Sequence, residues 1–195
     1  MLRLSILLLL IYAFAAQQPT TYTYKTVGNL SIEADVYLPT SSKYSKYPVF
    51  FTVHGGGYML GAKSSSCTTQ ELQEALSRGW AVVSIDYRLN PGVVLKDIVE
   101  DMQDAYNWMR TVLASQVPID PNNVVVFGQS AGGGLALISG YKLNPPPKAI
   151  ISFYPYCTNF MRTYIYDPTI PLNQTLYKEA QNFFTPVISE YDLTN

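Results

Sequence analysis

Four short runs constrain this chain more than any other feature: Val49–Val53, Ala81–Ile85, Val124–Phe127 and Ala149–Tyr154. None has a polar face, which is the pattern of strands covered on both sides rather than strands with one face in water. Helical patterns lie between them. Thr68-x-x-Glu71 reads as a capping box, with Leu72, Ala75 and Leu76 on one face and Gly79 as the stop. Leu95, Ile98, Val99, Met102, Ala105, Tyr106, Met109 and Leu113 recur at helical spacing and predict one long amphipathic helix. A third helix is predicted over Ala131–Leu143, closed by Asn144 and Pro145-Pro146-Pro147. The alternation predicts an α/β fold, a mostly parallel sheet with helices on both faces. Ahead of it, Thr21–Val27 and Leu30–Leu38 flank Gly28-Asn29 as an N-terminal β-hairpin. In its second arm Ile32, Ala34, Val36 and Leu38 alternate with Ser31, Glu33, Asp35 and Tyr37, so one face is expected to be buried.

Composition narrows what such a fold does. The 195 residues suffice for one domain with a sizeable core. Thirteen basic residues against fourteen acidic ones leave a formal charge of −1, which argues against nucleic acid as a partner. A single histidine rules out most His-rich metal sites and restricts imidazole chemistry to one position, and no cofactor motif is present. At the N-terminus Arg3 precedes an apolar run of 11 residues, Ile6–Ala16, too short for the roughly 20 residues of a membrane span. With Ala13-Phe14-Ala15 as a small-x-small cleavage site, residues 1–15 read as a signal peptide, and secretion is expected. Asn29-Leu30-Ser31 and Asn173-Gln174-Thr175 fit the N-glycosylation pattern. Cys67 and Cys157 could pair in an oxidising compartment or stand as two thiols.

Two glycine-rich turns carry the chemistry. Gly128-Gln129-Ser130-Ala131-Gly132 follows one strand directly and opens a helix. Such a corner forces its central residue into strained geometry and lifts the side chain above the sheet, so Ser130 is the candidate nucleophile. Its place at a helix N-terminus favours developing negative charge. A phosphate-cradling turn fits poorly, because neither the Gly-x-Gly-x-x-Gly fingerprint nor a Gly-Lys-Ser/Thr loop occurs. His54-Gly55-Gly56-Gly57 ends another strand, where successive glycines let backbone N–H groups converge on one oxygen. The expected oxyanion donors are Gly55, Gly56 and Ala131, with His54, Gly57, Gly128 and Gly132 as supports of the two turns.

On these pieces, together with Asp86-Tyr87-Arg88-Leu89 after the second strand, the chain from about Tyr22 to Tyr156 resembles the hormone-sensitive-lipase-like branch of the α/β-hydrolase fold. The resemblance implies a serine esterase or lipase-like hydrolase of carboxylic esters, with Ser130 as nucleophile and no cofactor. Gln129 departs from the acidic residue that family members often carry there. The resemblance also makes Asp86 and Arg88 a structural pair that ties loops. Residues 19–195 would then form a partial α/β-hydrolase domain whose last strands are missing, with 156–195 as a lid or cap; the aromatic segment Phe153–Phe184 would form part of a lid or acyl pocket, which suggests small apolar esters as substrates.

The proton relay is where the pattern stops. On this fold the order is Ser, then Asp or Glu, then His. After Ser130 come Asp167, Glu179, Glu190 and Asp192 but no histidine, and His54 belongs to the oxyanion turn. The expectation is a hydrolase domain cut short, weak or inactive as it stands. A non-catalytic secreted homologue that binds ligands or proteins is the alternative. A peptidase or amidase remains open on the same fold.

Overall fold

The computed structural model describes residues 18–156. Strands β1 (Thr20–Val27) and β2 (Leu30–Tyr37) form the hairpin, with a register shift between Thr23 and Lys25. β3 (Tyr47–Val53), α1 (Thr69–Ser77) and β4 (Ala81–Ile85) follow. The Thr68–Glu71 box closes as expected: Thr68 N–H donates to Glu71 Oε2 at 2.7 Å, and Glu71 N–H to Thr68 Oγ1 at 3.2 Å. Next come α2 (Leu95–Trp108), a π-helical turn over Met109–Leu113, a last turn α3 (Ala114–Gln116), β5 (Ile119–Gln129), α4 (Ala131–Lys142) and β6 (Ala149–Phe153).

The sheet runs β1-β2-β4-β3-β5-β6. β1–β2 and β2–β4 are antiparallel; the three remaining pairs are parallel. Helices cover both faces. Ile98, Met102 and Tyr106 of α2 and Leu135 of α4 bury against Phe51, Val83 and Val126. On the other face Ala75 and Leu72 of α1 pack on Phe50, Val82 and Phe127. The hairpin is tied to α2 by Lys25, whose ammonium meets Asp101 at 2.7 Å and Asp104 at 2.6 Å. Tyr22 adds a ring contact to Trp108 at 5.7 Å.

Four local expectations are corrected. The long helix is not uniform, because its last apolar positions pass through the wider π turn, yet Met109 and Leu113 stay fully buried. β5 begins at Ile119 rather than Val124, since Ile119 pairs with Tyr47 before an irregularity carries Pro121 and the two asparagines. In β2, Asp35 points away from the apolar face and is still buried, its carboxylate accepting from Thr21 Oγ1 at 2.6 Å. β6 is not covered on both sides by the described residues: Ala149, Ile151 and Phe153 are exposed. The expected signal peptide, the Asn173 pattern, the lid after Tyr156, Cys157 and the carboxylates beyond Ser130 lie outside the described residues.

Candidate active site

The parallel strands end on one side of the sheet, and the two glycine-rich turns leave from β3 and β5, which are neighbours there. Between Gln129, the last residue of β5, and Ala131, the first of α4, Ser130 takes φ 55 and ψ −119. That left-handed geometry strains any residue with a Cβ. Its main chain is fixed on both sides: Ser130 N–H donates to Phe153 O at 3.0 Å, and its carbonyl accepts from Gly134 N–H at 3.0 Å and Tyr156 N–H at 2.9 Å. Gly132 shows why the elbow needs glycine, because a Cβ there would stand 2.1 Å from Val53 O and 2.6 Å from His54 O. The helix can thus pack directly on the end of β3. Gly128 is pressed in the same way against Gly132 O.

The elbow is in contact with the other turn. A Cβ on Gly55 would lie 2.9 Å from Gln129 O and 3.4 Å from Ser130 Cβ. Gly56 has φ 110, and its carbonyl accepts from Met59 and Leu60 N–H at 3.1 Å, so the chain doubles back immediately. Gly57 is left-handed as well, at φ 64. Together Gly55, Gly56, Leu60, Gly61, Gln129, Ser130 and Tyr154 line a shallow pocket of about 270 Å³, with Ser65 at its rim. Ala131 is buried behind it as the first helical residue of α4, where N–H groups have no acceptor within the helix.

His54 is walled off from this pocket chemistry. Its ring is buried and lies parallel to Tyr87, centroids 4.0 Å apart and planes within 9°. Nδ1 is 2.7 Å from Gly55 O; a carbonyl only accepts, so Nδ1 carries the proton and donates. Nε2 is buried without a hydrogen-bond partner among the described residues. Desolvation by burial pushes the imidazole below its ordinary value, and the contact with Gly55 O only partly offsets this. Tyr87 closes the arrangement by donating its hydroxyl to His54 O at 2.8 Å. The ring therefore acts as a strut that holds the carbonyl of Gly55.

Asp86 and Arg88 do tie loops, but not as a pair with each other. Asp86 accepts from Lys63 N–H at 2.6 Å and Lys63 Nζ at 3.0 Å, and that ammonium also reaches Glu33 at 3.1 Å. Burial pulls the Lys63 ammonium down, but the carboxylates of Asp86 and Glu33 outweigh it and hold the group above its ordinary range. Arg88 forks onto the fully buried Asp101 of α2, with two contacts of 2.8 Å. A hydroxyl relay from Thr52 through Ser66 to Ser84, with links of 2.6 and 2.5 Å, anchors the far end of the loop that begins at His54.

Lys63 lies in no motif, and the motifs that contain Tyr87 and Gln129 do not disclose what those side chains touch, because each reaches the site through tertiary packing. Among the described residues no helix is long and apolar enough to cross a membrane.

The fold and the two turns define an esterase-like α/β-hydrolase domain. Residues 34–164 match the family BD-FAE, and the chain belongs to that family. It is 24% identical to the propionate-bound structure of the esterase Est2 from the Planctomycetes species Thermogutta terrifontis, with a TM-score of 0.62 over 72% of this chain and 56% of that one. The likeness to the same esterase phosphorylated by paraoxon is 26% identity and TM-score 0.56, covering 64% and 48%. Among curated proteins it is 41% identical over 147 residues to the non-reducing polyketide synthase Preu6 of Preussia isomera. It is 35% identical over 172 residues to the non-reducing polyketide synthase ascC of Acremonium egyptiacum. Those matches take in 70% and 83% of this chain, which spans only 7% and 8% of the length of these relatives.

Proposed function

We propose that the chain carries the nucleophile half of a carboxylic ester hydrolase acting on small apolar acyl esters. The observation that carries this is the strained Ser130, φ 55, facing Gly55 across a shared pocket at a helix N-terminus. Ser130 Oγ attacks the ester carbonyl, and the amides of Gly55, Gly56 and Ala131 hold the oxyanion. The carbon–oxygen bond to the alcohol then breaks; the alcohol leaves with a proton, and the acyl group stays on Ser130. Water releases it as the carboxylic acid. The likeness to an esterase solved with propionate and with butyrate favours short acyl groups.

Proton transfer sets this site apart from a complete triad. The one histidine is buried and donates to Gly55 O, so it does not serve Ser130. The chain by itself is therefore expected to acylate slowly and deacylate more slowly still. The same observation favours a second reading, a non-catalytic homologue that only binds ligands. Paraoxon separates the two. The hydrolase reading expects a phosphoryl adduct on the peptide carrying Ser130, absent in Ser130→Ala. No adduct there, with the protein folded, favours the binding reading.

Secretion belongs to the same proposal, resting on the apolar run ahead of Ala13-Phe14-Ala15. The mature protein would begin at Ala16, with the hydrolase domain following from residue 19. Expression in a secreting host with N-terminal sequencing tests it; an intact Met1 on the exported or retained protein would refute cleavage.

A further inference from the structure

The chain leaving β6 does not simply pass the elbow. Both main-chain polar groups of Ser130 are bonded to it, the N–H to Phe153 and the carbonyl to Tyr156. These two bonds bracket residue 154 and fix its place. Tyr154 has φ 35, a left-handed conformation in which a tyrosine is strained. Strain of this kind persists only where the surroundings over-determine it, and it gathers at ligand sites. Here the ring lies over Phe153, centroids 6.5 Å apart, and the hydroxyl donates to Gln129 Oε1 at 2.5 Å. Gln129 is the residue before Ser130, so the aromatic ring is tied at its outer end to the elbow as well. Tyr154 and Gln129 then line the pocket together with Gly55, Gly56 and Ser130, although the tyrosine as a whole is 69% exposed.

We propose that Tyr154 is the specificity-determining residue of the acyl pocket: held by Gln129, its ring forms the wall that limits acyl chain length beside Ser130. The inference rests on the hydrolase reading for the identity of the ligand but not on turnover. With Tyr154 tied across the pocket beside Gly55, Gly56 and Ser130, the ring shortens the path open to an acyl chain, so a short chain is accommodated and a long one is turned toward solvent. The tie matters because an untied, exposed tyrosine would swing aside.

The test is binding of two acids, propionate and octanoate, to the full chain, followed by chemical-shift changes in NMR spectra. Tyr154→Ala is expected to raise the octanoate-to-propionate affinity ratio by about tenfold or more, as removal of a pocket wall does. Tyr154→Phe keeps the ring and is expected to give a smaller change in the same direction, through loss of the Gln129 tie. If Tyr154→Ala does not fold, Tyr154→Gly, which relieves the left-handed strain, is read in its place. An unchanged ratio in a variant that melts like the parent overturns the proposal, as does absence of propionate binding to the parent chain. Neither acid requires Ser130 to react, because propionate and octanoate are free acids rather than esters. A failure of Ser130 to react thus sinks the hydrolase reading while leaving the size limit standing or falling on its own data.

Discussion

The two glycine-rich turns do related jobs and are held in different ways. The elbow around Ser130 is fixed by main chain against main chain. Gly132 fits only because nothing stands between it and two carbonyls of the neighbouring strand end, and Ser130 bonds through its N–H to the last residue of β6 and through its carbonyl to Gly134 and Tyr156. The turn that starts at His54 is fixed by side chains instead. An imidazole stacked on Tyr87 supports the Gly55 carbonyl, and a hydroxyl relay pins the other end. Main-chain locking tolerates no added atom and is indifferent to pH. Side-chain locking depends on the protonation of one buried ring.

The largest effect expected from this contrast is that of Gly132→Ala. The new methyl would sit 2.1 Å from Val53 O, a backbone atom that cannot swing away. A loss of about 3 kcal/mol or more in denaturant unfolding is expected, or no soluble protein. A fully stable Gly132→Ala variant would break the claim that the elbow is locked sterically.

His54→Ala comes next. It leaves a cavity beside Tyr87 and removes the donor to Gly55 O, and a loss of about 2–3 kcal/mol is expected by the same measurement. A smaller, pH-dependent effect sharpens the contrast. The folded state lowers the His54 pKa through burial, so the unfolded chain binds the proton more readily. The ring's contribution is therefore fully present above the ordinary imidazole value of 6.5 and declines as pH falls below it, until the native ring itself protonates. The decline is at most about 1.4 kcal/mol per pH unit for one proton. As His54 is the only histidine, His54→Ala should flatten the stability profile between about pH 5 and 7.5, where carboxylates titrate little. A profile that keeps its slope in the variant would assign it to other groups.

The smallest effect has the opposite sign. Ser130→Gly removes a side chain from φ 55 and should raise the melting temperature, by a stability gain of about 1 kcal/mol, while abolishing paraoxon labelling. A drop in stability would mean that the serine side chain contributes more than its backbone costs.

Much of this was legible before any coordinates. The apolar runs, the capping box and the Gly28-Asn29 turn each express a local rule, and the strands and helices they predict are found. Glycines at 128 and 132 announced the elbow because close packing there excludes a Cβ. What stayed hidden depends on contacts between distant segments. The Asp101 carboxylate that receives Arg88 lies in a helix, where spacing alone marks it only as an interruption of the apolar face. Asp86 and Arg88 look like a pair in the sequence, but in the turn after β4 they reach different partners, Lys63 and Asp101. Tyr154 looks like one more apolar position at the end of β6. Only the bracketing bonds to Ser130 turn it out of the strand and over the pocket.

The most direct test of the account is acyl transfer to Ser130. The full chain is incubated with p-nitrophenyl propionate in buffer containing free imidazole, which can stand in for a base that His54 does not provide. Digested peptides are then weighed. The account predicts a propionyl adduct concentrated on the peptide carrying Ser130, increasing with imidazole and absent in Ser130→Ala. Propionyl groups spread over lysines and tyrosines, with no excess at Ser130 in the folded protein, would contradict it.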